Sequence, residues 1–188
     1  RANASNMLED EVLASCASRG AQFEDPHFPA TDASLGAPPK QPVRWLRPDA
    51  ALGPVELFAP GTGGAAALEV GAAQLWDCWA LGALATLATH PSLLQRLFVS
   101  TRGALHGVYT LQLHVNDEWV QVMIDDRLPC DAEGVPLYVR SGYHGELWPS
   151  LVEKAWAKLA GSYEALRGGT LPQALRTLTG GVPVRMEL

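Results

Sequence analysis

The stretch AAQLWDCWALGALATLATHP, residues 72–91, decides how the chain is read. From Asp77 to about Phe98 the spacing predicts a mostly buried helix, with Trp79, Leu81, Leu84 and Leu87 and then Leu93 and Leu94 as its apolar positions. Pro91 interrupts the run. The pattern therefore also allows two helices meeting at THPS, the second capped by Thr89 or Ser92. Cys78 stands at the start. With Asp77 as cap and Cys78 as first helical residue, a thiolate would face unpaired backbone N–H groups and the positive helix end. That position lowers a thiol pKa and is a recurring way to prepare a cysteine nucleophile. A cysteine there can equally pack as a small hydrophobe, since free cysteine is commonly buried. The local pattern leaves both readings open.

Outward from this helix, the periodicities switch. Residues 2–19 predict a helix with Met7, Leu8, Val12, Leu13 and Cys16 on one face and Gly20 as its stop. Residues 21–62 hold eight prolines and read as loop, with Phe23, Phe28, Trp45 and Phe58 pinning an extended segment. VYTLQLHV (108–115) and EWVQVMI (118–124) alternate with period two around Asn116–Asp117, which predicts a hairpin. A short strand is expected at 137–139. Residues 146–166 form a strong amphipathic pattern facing inward through Leu147, Leu151, Val152, Ala155, Trp156 and Leu159, with Gly161 ending or bending it. A last short helix is expected at 171–181, with Pro172 in its first turn and Gly180 after its end.

Length and composition bound the function. The 188 residues suit one domain or one lobe of a larger one. Hydrophobic residues make up 47% and charged residues 18%, which describes a globular chain. The formal net charge of -6, with scattered Lys and Arg, argues against nucleic acid or an anionic membrane as a main partner. No apolar run reaches the roughly 20 residues that span a bilayer. Three distant cysteines, Cys16, Cys78 and Cys130, show no zinc spacing and read as free thiols of a reducing, intracellular compartment. The chain starts RANASN, without an initiator Met, and is expected to be a processed or excerpted piece. A cysteine nucleophile also needs a base, usually His. His27, His90, His106, His114 and His144 stand in turn or surface contexts, and His90 lies roughly 18 Å along the helix from Cys78. His114 is expected to face solvent.

Several motifs, in order, then resemble one family. LWDCWALGALATLATHPSLL (75–94) resembles the active-site helix of calpains, the intracellular calcium-regulated papain-like cysteine proteases. FEDPHFPATDASL (23–35), WLRP (45–48) and GVYTLQLHVNDEWVQVMIDDRLPCD (107–131) resemble the segments around it. LWPSLVEKAWAKLAGSYEALRGGTLPQALRTLTGGV (147–182) resembles the closing helices almost continuously. The resemblance implies an α+β, mainly α fold: the first lobe of a protease core, with a central active-site helix and a small antiparallel sheet. It implies residues 1–21 as an N-terminal extension and 22–188 as the cysteine-bearing lobe. The family's second lobe, which carries the catalytic His and Asn, has no counterpart among these residues.

By the resemblance Cys78 holds the nucleophile position. The family motif reads Q-G-x-L-G-D-C-W, and its Gln helps form the oxyanion hole. Here Ala72 stands at the Gln and Trp76 at the Gly before Asp77, while Gln74, two residues on, is a weak substitute. Losing one oxyanion donor costs about 10²–10³ in rate. The family's first-lobe calcium site corresponds to the loop GGAAALEV, with Glu69 as acidic ligand and Glu146 as a second. Both also read as ordinary acids, and calcium is the one cofactor implied. Asp125, Asp126 and Asp131 are expected to tie down loop N–H groups. Two functions follow: the cysteine half of an endopeptidase, inactive as this chain, or a non-catalytic module binding protein partners in a larger, cytoskeletal assembly.

Overall fold

The computed structural model describes residues 2–59, 68–70 and 78–184, with side chains from Leu8 onward except those of Val70 and Cys78. Its best-formed sheet is the hairpin. Strands β4 (Val108–Val115) and β5 (Glu118–Asp125) pair in register from Val108 with Asp125 to Val115 with Glu118. Asn116 and Asp117 have φ of 50° and 63°, the pair of left-handed residues that a two-residue turn matched to strand twist requires. Alternation puts Leu111, Leu113, Val122 and Ile124 into the core. β3 (Phe98–Ser100) adds to β4 through an irregular register.

Two further ribbons of three-residue strands join distant parts of the chain. β1 (Arg44–Leu46) pairs antiparallel with β6 (Leu128–Cys130), and β2 (Leu68–Val70) with β7 (Val139–Ser141). The strand expected at 137–139 begins instead at Val139, because Leu137 donates its N–H to Pro129 O and belongs to the β1–β6 side.

Seven α-helices occur among the described residues. α2 (Asp32–Leu35) and α3 (Pro48–Leu52) are single turns in the proline-rich region. α4 (Cys78–Ala88) and α5 (Pro91–Arg96) replace the continuous helix that residues 77–98 allowed. Neither Thr89 nor Ser92 caps α5. Its cap position is His90, Pro91 starts it, and the Thr89 hydroxyl bonds back to Thr86 O at 2.7 Å. α6 (Trp148–Ala160) ends at Gly161, whose φ of 98° a side chain would strain. α7 (Leu171–Thr179) opens on a capping box between Thr170 and Gln173 and closes at Gly180. The core runs through Leu84, Leu87, Trp148, Leu151 and Tyr163, each fully buried. A buried leucine of this kind contributes about 1.5–3 kcal/mol. This is an α+β lobe built around α4 and α6.

α1 (Ala2–Arg19) docks by part of the expected face, through Leu13 and Cys16, but not through Leu8. Leu8 is 53% exposed, whereas Glu9 is 2% exposed. Glu9 accepts hydrogen bonds from Thr110 Oγ1 at 2.7 Å, Ser100 Oγ at 2.5 Å and Arg102 Nη2 at 3.3 Å. Leu13 packs toward Gly103, and Cys16 is buried. Positions 9, 13 and 16 therefore form the inward stripe. A polar residue supplies its best contact, which a search for apolar periodicity passes over.

Asp125 anchors the centre. Its carboxylate accepts N–H bonds from Asp25 at 2.9 Å and Arg127 at 3.1 Å, two bonds from the Arg127 guanidinium and one from Lys154 Nζ. Lys154 also donates to Arg127 O at 2.5 Å. Asp126 pairs with Arg47, and Asp131 accepts from Val135 N at 2.8 Å. Burial pushes the Asp125 carboxyl up, but Lys154, the Asp25 N–H and Arg127 together hold it below its ordinary value.

Candidate functional site

Helix α4 sets the frame of the site. Ala80, Ala83, Leu84, Leu87 and Ala88 are buried, so the helix is gripped on more than one side, and it packs against α7. Its first residue is Cys78. The backbone N–H groups of a first turn have no intrahelical partner, and they present partial positive charge to whatever stands at the N-terminus. A thiol there is favoured as thiolate.

Trp79, the next residue, is held on two sides. Its ring meets Trp156 of α6 edge to face, with centroids 5.8 Å apart at 89°. On the other side the chain between Arg167 and Thr170 passes close by. A Cβ on Gly169 would lie 2.7 Å from the indole, so only glycine fits there. The Gly168–Gly169 backbone therefore forms a wall beside the start of α4. Sequence reasoning quoted this doublet only as part of a longer motif. Its signal was the paired glycine just ahead of a capped helix.

Cys16 and Cys130 are both buried. Burial and the negative charge of Asp131 push the Cys130 thiol up to about 11. His90 lies beyond the C-terminal end of α4, where its Nδ1 sits 2.9 Å from Thr89 Oγ1 and 3.1 Å from Thr86 O. His114 does not face solvent as expected. Its ring packs edge to face on Trp119 at 5.4 Å, and its Nδ1 is buried without a hydrogen-bond partner. Ala72, Gln74, Trp76 and Asp77 lie outside the described residues.

The two acids of the anticipated calcium site are each taken by protein donors. Glu69 is half exposed and faces Arg140 across the β2–β7 ribbon, with Arg140 Nε and Nη2 donating to its Oε2 at 3.0 and 2.9 Å. Glu146 is buried. Its Oε1 accepts from Ala59 N at 2.7 Å and its Oε2 from Ser141 Oγ. Arg140 and Ser141 are neighbours on one strand and point to opposite faces. The two carboxylates therefore lie on opposite sides of the ribbon. Calcium takes six to eight oxygens converging on one point. Residues 63–67 of the GGAAALEV loop lie outside the described residues. Among the described residues no three His, Cys, Asp or Glu side chains are gathered to hold a metal ion. No helix among them is long and apolar enough to cross a membrane.

Comparison with known proteins returns one family. The profile described as calpain family cysteine protease matches residues 23–188. Calpain-9 of Rattus norvegicus is 36% identical over 184 residues, covering 95% of this chain and 26% of its own length. The calpain-type cysteine protease DEK1 of Arabidopsis thaliana is 38% identical over 177 residues, 89% of this chain and 8% of its own. Calpain-B of Drosophila melanogaster is 39% identical over 173 residues, 89% of this chain and 18% of its own. The chain thus spans about a quarter or less of these relatives.

Proposed function

The chain belongs to the calpain family of cysteine proteases, and from that premise we propose that it is the cysteine-bearing lobe of a calpain-type endopeptidase, with Cys78 as the nucleophile position, and that these residues do not hydrolyse peptides by themselves. The observation that carries the reading is that Cys78 lies in the first described turn of α4, within the D-C-W of the matched family segment. A thiolate at a helix start is stabilised by unpaired N–H groups, and it can attack a peptide carbonyl without first losing a proton.

Two further parts of the reaction have to come from elsewhere. A general acid, usually the imidazolium of a His, must protonate the leaving amine, and donors must meet the oxyanion. At the family's Gln position Ala72 has only a methyl group, so no side-chain donor exists there. His90 sits beyond the far end of the Cys78 helix, roughly 18 Å along the axis. No step is routed through calcium, given how Glu69 and Glu146 are engaged.

Alkylation tests this directly. Iodoacetamide should label Cys78 before Cys16 and Cys130 in the folded protein, and the rate should persist below the ordinary thiol pKa of about 8.5. Labelling of Cys78 that is no faster than at the buried cysteines, or that follows an ordinary thiol pKa, would remove the nucleophile reading. Turnover of a fluorogenic peptide by this chain alone would overturn the inactive part.

Ala72 favours a second reading, a calpain-like module that binds protein partners without chemistry. Under it, Cys78→Ala leaves the cellular role intact.

A further inference from the structure

The β2–β7 ribbon carries a charge arrangement that the proteolytic reading does not use. Its register places Glu69 directly opposite Arg140 and Leu68 opposite Ser141. On one face the planar guanidinium sends two N–H bonds to a single Glu69 oxygen. On the other, the Ser141 hydroxyl and the Ala59 N–H take one Glu146 oxygen each. Around Glu146 the backbone is zipped as well: Glu56 N donates to Gly145 O at 2.9 Å, Leu147 N to Glu56 O at 3.0 Å and Trp148 N to Leu57 O at 3.1 Å. Gly145 makes this close approach possible, because a Cβ there would lie 2.6 Å from Pro54 O.

These contacts bracket one length of chain. Residues 56–59 are held to 145–148 and, through Glu146, to Ser141. Residues 68–70 are held to 139–141 and, through Glu69, to Arg140. Both entry and exit of the segment between Ala59 and Leu68 are therefore fastened to one strand–turn–helix unit. In a calcium site those roles would fall to a divalent ion pulling carboxylates and backbone carbonyls together. Here a fixed cation faces one carboxylate, and a hydroxyl and an amide hold the other.

We propose that Arg140 is the resident cation of this ribbon, so that Ca²⁺ reaching Glu69 binds against the guanidinium's charge. The charge accounting is direct. A divalent ion at Glu69 would meet the Arg140 cation at close range, while Glu146 is held through one bond on each oxygen by Ala59 N and Ser141 Oγ. The family's calcium chemistry is thereby replaced by a covalently attached positive charge. Cation dependence becomes a property of residue 140.

Calcium titration of the purified chain by isothermal calorimetry tests it, beside Arg140→Gln and the double variant Arg140→Gln/Glu69→Gln. Removing the like charge should tighten Ca²⁺ binding about tenfold in Arg140→Gln, and the double variant should lose that gain. Unchanged affinity in Arg140→Gln, whether strong or absent in both proteins, overturns the proposal. A second readout uses no calcium. In EDTA the wild-type melting temperature should equal that without chelator, and Glu146→Gln should melt lower, because a satisfied carboxylate is lost. A fall in wild-type stability on adding EDTA, or no loss from Glu146→Gln in EDTA, would equally defeat it. These measurements read binding and stability, so their failure leaves the Cys78 labelling result standing.

Discussion

Two groups of acids in this lobe look alike in the sequence and differ in the structure. Asp125 sits in the core with Lys154, both fully buried, and collects donors from the loop before α2, from its own turn and from α6. Glu69 and Glu146 lie on either side of a short ribbon, one half exposed with Arg140 and one buried among neutral donors. The first arrangement joins elements whose positions fix the whole lobe. The second fastens the two ends of a single segment. What separates them is the number of independent elements that converge on the carboxylate and whether its partner cation is itself buried.

The sharpest way to break the comparison is to remove the buried cation. Lys154→Met keeps an apolar stem of similar length and leaves Asp125 without its ammonium partner. Breaking a buried pair from one side typically costs about 3–5 kcal/mol. Arg127 still makes two bonds to the same carboxylate, so the lower end, about 3 kcal/mol, is expected. Urea unfolding of the chain measures it. A loss below about 1 kcal/mol, the size of an exposed pair, would place the Asp125 group in the same class as the ribbon.

Acid separates the two groups more gently. The folded Asp125 carboxyl lies below its ordinary value, since its partners together outweigh burial. Its contribution is therefore complete above the unfolded value of about 3.9 and is lost as the pH falls through the folded one. Asp126 works in the opposite sense: burial raises its carboxyl despite Arg47, so protonation relieves part of its cost. Stability should hold down to about pH 4 and fall below it, and Asp125→Asn should flatten that fall. A wild-type loss that instead begins near neutrality would put the decisive titration in some other group.

What could be read in advance followed from how many residues carry each signal. The hairpin spans eight residues on each side of Asn116–Asp117, enough for period two to show. The inward face of α6 was legible through Leu151, Val152 and Ala155, yet Leu159 is 38% exposed, and Lys154 at 0% is as buried as its leucines. Charge alone cannot reveal such a residue, because its partner lies 29 positions away on β5. The pairings β1–β6 and β2–β7 were missed, although a strand overlapping β7 was expected, because three residues carry no period and their partners are remote in sequence. At the candidate site, the helix that carries Cys78 was legible from its apolar spacing. The Gly169–Trp79 contact was not legible, because it depends on how α4 and the loop before α7 come together.

The smallest effect is expected at Arg140, and it is the most discriminating. The Arg140–Glu69 pair is partly exposed, so solvent screens it, and ordering two long side chains offsets much of the attraction. Arg140→Gln should cost no more than about 0.5 kcal/mol in urea unfolding, and that loss should shrink further in high salt. The same substitution is the one expected to change calcium affinity. A residue that hardly matters to stability but governs cation binding is acting through charge at a site. If Arg140→Gln instead cost as much as Lys154→Met, Arg140 would be part of the structural frame, and the ribbon and the core would be one kind of ion pair after all.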